Sequence, residues 1–141
     1  MDVMKKKFKF LEHTADIKFQ SFGGNLEEAF ENSALALFNI MYDGEIKKIK
    51  MMNVRIKGKD FESLLYNFLE ELLFLFENKY FFLSKIKNLK IDPQKFILTA
   101  ELLGDNSSNY EAHLGVKAIT YNDMFVRKEK NKYVCQVVVD V

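Results

Sequence analysis

The sequence predicts an α+β fold: a largely antiparallel (mixed) sheet with two long helices packed on one face, in a single domain over residues 1–141. Three observations carry this. Two stretches, beginning at Leu26 and at Phe61, repeat apolar residues at steps of three and four, which is the helical period. Most of the remainder consists of short runs rich in β-branched and aromatic residues, several with alternating polarity. Turn signals separate the later runs, so adjacent strands pair antiparallel through hairpins rather than in parallel through crossover helices.

The elements follow in order. Phe8 to Phe22 reads as extended, with Ala15, Ile17 and Phe19 on one side and Asp16, Lys18 and Gln20 on the other. Gly23-Gly24 ends it as a turn. Asn25 is an N-cap residue with Glu28 three positions later, a capping-box-like pattern. Leu26, Ala29, Phe30, Ala34, Leu37, Phe38 and Met41 then form one apolar helix face, and Asp43-Gly44 stops the helix. Ile46 to Lys57 is strand-like until Gly58 breaks it. Asp60 caps a second helix over Phe61 to Asn78, whose broad stripe of Leu and Phe predicts burial on most sides. Five further strands are expected: Phe81 to Ile91, Phe96 to Leu103, Leu114 to Tyr121, Met124 to Lys128 and Tyr133 to Val139. Asp92-Pro93, Asn122-Asp123 and Lys130 to Lys132 supply turns, and Gly104 to Asn109 a polar loop.

Composition narrows the chemistry. A chain of 141 residues suits one domain on a prior of ~100–200 residues each. Fourteen Phe and no Trp predict a core of Phe and Leu. One cysteine, Cys135, excludes an intramolecular disulfide and a multi-thiolate zinc site, and two histidines exclude a multi-histidine centre. With 21 basic and 20 acidic residues, the formal charge of +1 gives no overall pull toward nucleic acid, so tight unaided RNA binding is not expected. Met1 to Lys7 is charged with no apolar segment behind it, and the apolar run Leu64 to Phe76 is short and interrupted by Asn67, Glu70 and Glu71. A soluble cytoplasmic protein is the expectation.

Three segments are candidates for chemistry. Glu12-His13-Thr14-Ala15-Asp16 concentrates polar side chains where the extended segment becomes regular, either as a hydrogen-bonded edge or as part of a site. Asp140-Val141 at the end of an apolar strand sets the Asp140 carboxyl beside the chain terminus. Two adjacent anions repel unless solvated or bridged by a cation, and hard divalent ions take such oxygen ligands. In Gly115 to Tyr121, Lys117 would share a strand face with Ile119 and Tyr121, needing either a snorkelling path or an anionic partner. The runs Lys5 to Lys7, Lys47 to Lys50 and Arg127 to Lys132 read as solvated faces, and Cys135 as an inert core thiol. No phosphate-binding glycine loop, nucleophile elbow or zinc signature is present.

Taken together, these segments resemble the archease family. Phe10-Leu11-Glu12-His13-Thr14-Ala15-Asp16-Ile17, Phe22-Gly23 and Leu26-Glu27-Glu28-Ala29-Phe30 are similar to its opening. Leu64-Leu65 and Phe68-Leu69-Glu70-Glu71-Leu72 are similar to its second helix. Lys117-Ala118-Ile119-Thr120-Tyr121 resembles its Lys-Ala-x-Thr-Tyr motif, and Val138-Val139-Asp140-Val141 its ending.

The resemblance implies a non-enzymatic accessory factor that promotes guanylylation and multiple turnover of the GTP-dependent tRNA/RNA ligase in tRNA splicing and RNA repair. It implies a divalent cation, calcium or else magnesium or manganese, at Asp16, Asp140 and Val141, the last through a main-chain or terminal oxygen. His13 and Lys117 are candidate contacts to the partner or to a phosphate, with Glu12 and Thr14 behind the ligands. RNA would be contacted indirectly and no membrane is involved. Glu12 stands where the family often has Asp, and Asn122 where many members have His, which removes a histidine role there. Two other readings are a chaperone-like modulator of a tRNA-modifying enzyme such as a tRNA methyltransferase, and a carboxylate-metal phosphohydrolase using Asp16, Asp140 and His13.

Overall fold

The computed structural model describes residues 6–11, 15–112 and 114–141. Its elements are β1 (Phe8–Leu11), β2 (Ile17–Gly23), α1 (Leu26–Met41), β3 (Lys50–Lys57), α2 (Phe61–Lys79), β4 (Phe81–Asp92), β5 (Ile97–Asn106), a 3-10 turn (Ser107–Asn109), β6 (Ala118–Glu129) and β7 (Lys132–Asp140). Neither helix is long and apolar enough to cross a membrane.

The α+β class and the two helices are as the sequence predicts, and the strands divide between two sheets. One has the order β1-β2-β7-β6 and the other β3-β5-β4, every described pairing being antiparallel. The division follows from β2 pairing with the last strand, β7, rather than with β3. That leaves β3, β4 and β5 to complete their own ladder. Each sheet has an apolar face to bury, and both use the helices: α1 lies against β2, β4 and β7, and α2 against β6, β4 and β3. The expected extended run over residues 8–22 is two antiparallel strands, β1 folding back on β2 with Phe10 opposite Phe19.

Phenylalanine fills the space between helices and sheets. Phe30 and Phe68 are fully buried and stack at 6.4 Å where α1 meets α2. Phe82 takes edge contacts from Phe38 at 5.2 Å and Phe76 at 5.6 Å. Full burial of such a side chain contributes about 1.5–3 kcal/mol. The α2 stripe is less complete than its composition suggests, because Phe74 faces outward.

Local chemistry sets the helix ends. Asn25 Oδ1 accepts from the Glu28 amide at 2.8 Å, while Glu28 Oε1 reaches back to the Gly24 amide at 2.6 Å, one residue before the cap. A side chain at Gly23 would strike the backbone of Glu28 and Ala29, so glycine there lets β2 run straight into the first turn of α1. Asp60 caps α2 in a reciprocal arrangement with Ser63.

Two boundaries differ from expectation through tertiary bonds. β3 begins at Lys50 rather than Ile46, because Ile46 is pinned to β4 at the far side of the same sheet, its carbonyl accepting from Ser84 Oγ at 2.6 Å. β5 continues through Gly104 to Asn106, where a loop was expected. Its buried Asp105 carboxylate accepts from Tyr110 Oη and the Asn106 amide, both at 2.7 Å, and these bonds hold its pKa below the usual Asp value.

Candidate functional site

Strand register brings the two candidate acidic residues to one sheet end. In β2 and β7, Ile17 pairs with Val139, and Asp16 and Asp140 are the next residues on the two strands. On the other side of β7, Ala118 pairs with Asp140, and the Lys117 amide donates to the Asp140 carbonyl at 2.8 Å. Asp16, Lys117, Asp140 and Val141 therefore gather where three adjacent strands end. β7 holds the arrangement rigid: Val134 to Val139 are all buried, with Val137 and Val139 in the main core. Asp140 is exposed, Asp16 and Val141 half-buried.

Lys117 does not take the place expected of it. It precedes β6 and is exposed, while Ile119 alone of the three turns into the core. Bonding of its amide to β7 leaves the side chain at the sheet's rim, where the ammonium stays solvated without an apolar surround. Glu12, His13 and Thr14 lie outside the described residues.

The strands Leu114 to Tyr121 and Met124 to Lys128, expected as a hairpin turning at Asn122-Asp123, are one strand, β6, carrying a bulge. Thr120 pairs with Val138 and Phe125 with Gln136, so Tyr121 to Met124 lie opposite Val137 alone. Asp123 adopts a left-handed φ of 54°, a conformation Asp tolerates, and bonds the bulge back into the sheet instead of reversing the chain. Its carbonyl accepts from Gln136 Nε2 at 2.8 Å, and its carboxylate pairs with Lys18 Nζ at 3.2 Å. Gln20 Nε2 donates to Gln136 Oε1 at 2.9 Å, and Thr120 Oγ1 donates to the Val138 carbonyl at 2.8 Å.

Tyr121, the last residue of the Lys-Ala-Ile-Thr-Tyr segment, stacks on Tyr66 of α2 with centroids 4.1 Å apart and planes 7° from parallel. Both hydroxyls have raised pKa values, chiefly from burial and then from nearby carboxylates: Glu70 for Tyr66, Asp60 and Glu70 for Tyr121. The β2 alternation already sets Lys18 on the same side as Asp16; its partner Asp123, and Tyr66 as the partner of Tyr121, are set by tertiary packing and carry no such signal in the sequence.

The sheet end offers carboxylate and main-chain oxygens. Among the described residues no group of three or more His, Cys, Asp or Glu side chains is placed to hold a metal. Two carboxylates with main-chain oxygens and water suit a hard divalent cation such as calcium or magnesium, which accepts mixed oxygen ligation, and do not suit zinc. The donor set fits the group the resemblance implies, as a site completed by solvent or by a partner. Cys135 offers no nucleophile: it is fully buried, and burial pushes its thiol up to about 12 although Ser33 and Ser21 lie beside it.

Comparison with known proteins agrees with this architecture. The family described as Archease protein family (MTH1598/TM1083) matches residues 8–141. The protein archease of Methanosarcina barkeri is 39% identical over 150 residues, covering 100% of both chains. The solution structure of Methanobacterium thermoautotrophicum protein 1598 superposes with a TM-score of 0.83 at 35% identity, over 96% of this chain and 99% of that one. A crystal structure described as an archease, possible chaperone, from Thermotoga maritima shares the fold with a TM-score of 0.67 at 18% identity, covering 100% of both chains. Motif order, fold and end-to-end similarity thus agree, and the chain belongs to the archease family.

Proposed function

We propose that this archease is an accessory factor for a GTP-dependent tRNA/RNA ligase, acting in the cytoplasm without turnover of its own and carrying a divalent cation at Asp16, Asp140 and Val141. The observation that carries the reading is the β2-β7-β6 register, which sets Asp16, Asp140 and Lys117 at one sheet end. Asp16 and Asp140 would hold the ion, with a main-chain oxygen of Val141. A bound calcium, magnesium or manganese ion supplies concentrated positive charge beside the strand ends, where a nucleotide or RNA phosphate of the ligase complex would be oriented. Lys117, at the same rim, serves as a point charge for a phosphate or for an acidic group of the ligase. His13 is a further candidate contact, with Glu12 and Thr14 behind the ligands.

The test adds the protein at substoichiometric amounts to the cognate ligase with GTP, manganese and an RNA carrying joinable ends. Faster guanylylation and several ligation cycles per ligase are expected, both lost with Asp140→Ala. No gain in either quantity rejects the reading. The description of the Thermotoga relative as a possible chaperone favours a second one, a chaperone-like modulator of a tRNA-modifying enzyme such as a methyltransferase. Suppression of partner aggregation that survives loss of both Asp16 and Asp140 would select it.

A further inference from the structure

The lysine runs that read as separate solvated faces converge. At the end of the four-stranded sheet opposite Asp16 and Asp140, a groove of about 1370 Å³ opens between the end of β2, the β6–β7 turn, α1 and β4. Lys6, Lys7 and Lys9 line it from the amino-terminal segment, and Lys130 and Lys132 from the turn. Lys85 of β4 and Lys48 ahead of β3 complete a set of seven lysines against three glutamates, Glu28, Glu31 and Glu129. Glu28 is already engaged with the Gly24 amide. Glu31 has a raised pKa, from burial first and then from Glu28, with Lys7 and Lys85 of the same groove acting in the opposite direction. The formal +1 of the whole chain conceals this local excess of positive charge.

We propose that this groove binds single-stranded nucleic acid, its lysines tracking successive phosphates and Phe22 offering a ring to a base. The volume exceeds the ~300–1,000 Å³ of small-molecule pockets, and the lysines come from separate elements along the groove, which suits a repeating anion better than a compact one. Phe22 distinguishes nucleic acid from an acidic peptide. It is half-buried in the groove, outside the main core, with Lys132 Nζ 4.7 Å and Lys9 Nζ 5.9 Å from its ring centroid. An aromatic flanked by cations pairs base stacking with phosphate neutralisation, as in sequence-tolerant single-strand binding. Asn32 Nδ2 fixes the ring's backbone by donating to the Phe22 carbonyl at 2.7 Å. The six steps of β2 separate the groove from the Asp16 end by about 20 Å, so the two sites act independently.

The experiment is fluorescence anisotropy of the full chain with labelled 15-nucleotide uridine RNA and thymidine DNA over a range of salt. Either strand should bind with a log–log salt slope of about −0.7 per lysine engaged. Lys9→Gln with Lys132→Gln should make the slope shallower by about 1.4. Phe22→Leu should weaken binding by about fivefold or more at unchanged slope. Preference for RNA or for DNA identifies the source of the strand, and binding of either supports the proposal. Lys57→Gln, a matched change on β3 outside the groove, should leave both readouts unchanged; an equal loss there overturns the proposal. It is also overturned by failure of both strands to bind, by equal binding of duplex, or by displacement with oligoglutamate at matched charge. Circular dichroism confirms that each variant is folded.

Discussion

Asp60 accepts the Ser63 amide at 2.7 Å, and Ser63 Oγ accepts the Asp60 amide at 3.1 Å, satisfying two donors at the start of α2. These bonds favour the carboxylate, so the Asp60 pKa lies below its ordinary 3.8, the Ser63 amide being the largest cause. Because the folded value is the depressed one, the cap's contribution is complete above pH 3.8 and is lost as pH falls through the folded pKa. Asp92 and Asp105 are lowered in the same direction, by backbone amides and by Tyr110 Oη respectively, and add to acid lability with the same sign. Asp60→Ala should therefore cost about 1 kcal/mol at pH 7, with a smaller difference in strong acid. Urea unfolding at the two pH values measures it, and an equal cost at both would assign the loss to something other than the ionised cap. Asn25 and Asp60 were legible in the sequence because a cap and its helix are neighbours along the chain. Asp105 was not, because its partner Tyr110 reaches it only after β5 has paired with β4 and the following turn has folded back.

Between elements, the Tyr66–Tyr121 stack ties the bulge of β6 to the exposed side of α2. The Val126 amide reaches Glu62 Oε2 at 3.4 Å from the same two elements. A double-mutant cycle with Tyr66→Leu and Tyr121→Leu, followed by denaturant unfolding, should give a coupling of about 0.5–1.5 kcal/mol. A value near zero would mean that the rings lie together without holding the bulge. Both helices were legible from their 3.6-residue period, and their limits differ from expectation by little. The bulge was not. Asn122-Asp123 is turn chemistry, and an Asp in the left-handed region serves a bulge as well as a hairpin. What decides between them is β7, whose Gln136 and Val138 bind the segment from a distant part of the sequence.

At the scale of the molecule, pairing of β2 with β7 joins the first and last thirds of the chain in one sheet whose two ends carry different groups. Acidic Asp16 and Asp140 stand at one end, and the lysine-rich groove opens at the other. The first was legible as two candidate segments, each carrying an acidic residue, and the family resemblance joined them. The second was not, because Lys9, Lys48, Lys85 and Lys132 sit in different elements, and only the packing of both sheets on α1 brings them to one surface. A near-neutral average charge therefore says little about either end. Cation binding at the Asp16 and Asp140 end is measured by calorimetric titration of calcium and of manganese into the metal-free protein. One cation should bind per chain, and binding should be lost in Asp16→Asn and in Asp140→Asn while both variants stay folded. The bound ion should add about 2.7 kcal/mol of stability to the wild type at a hundredfold excess over Kd. Unchanged cation binding in both variants, or none by the wild-type chain, would contradict a cation site at this end.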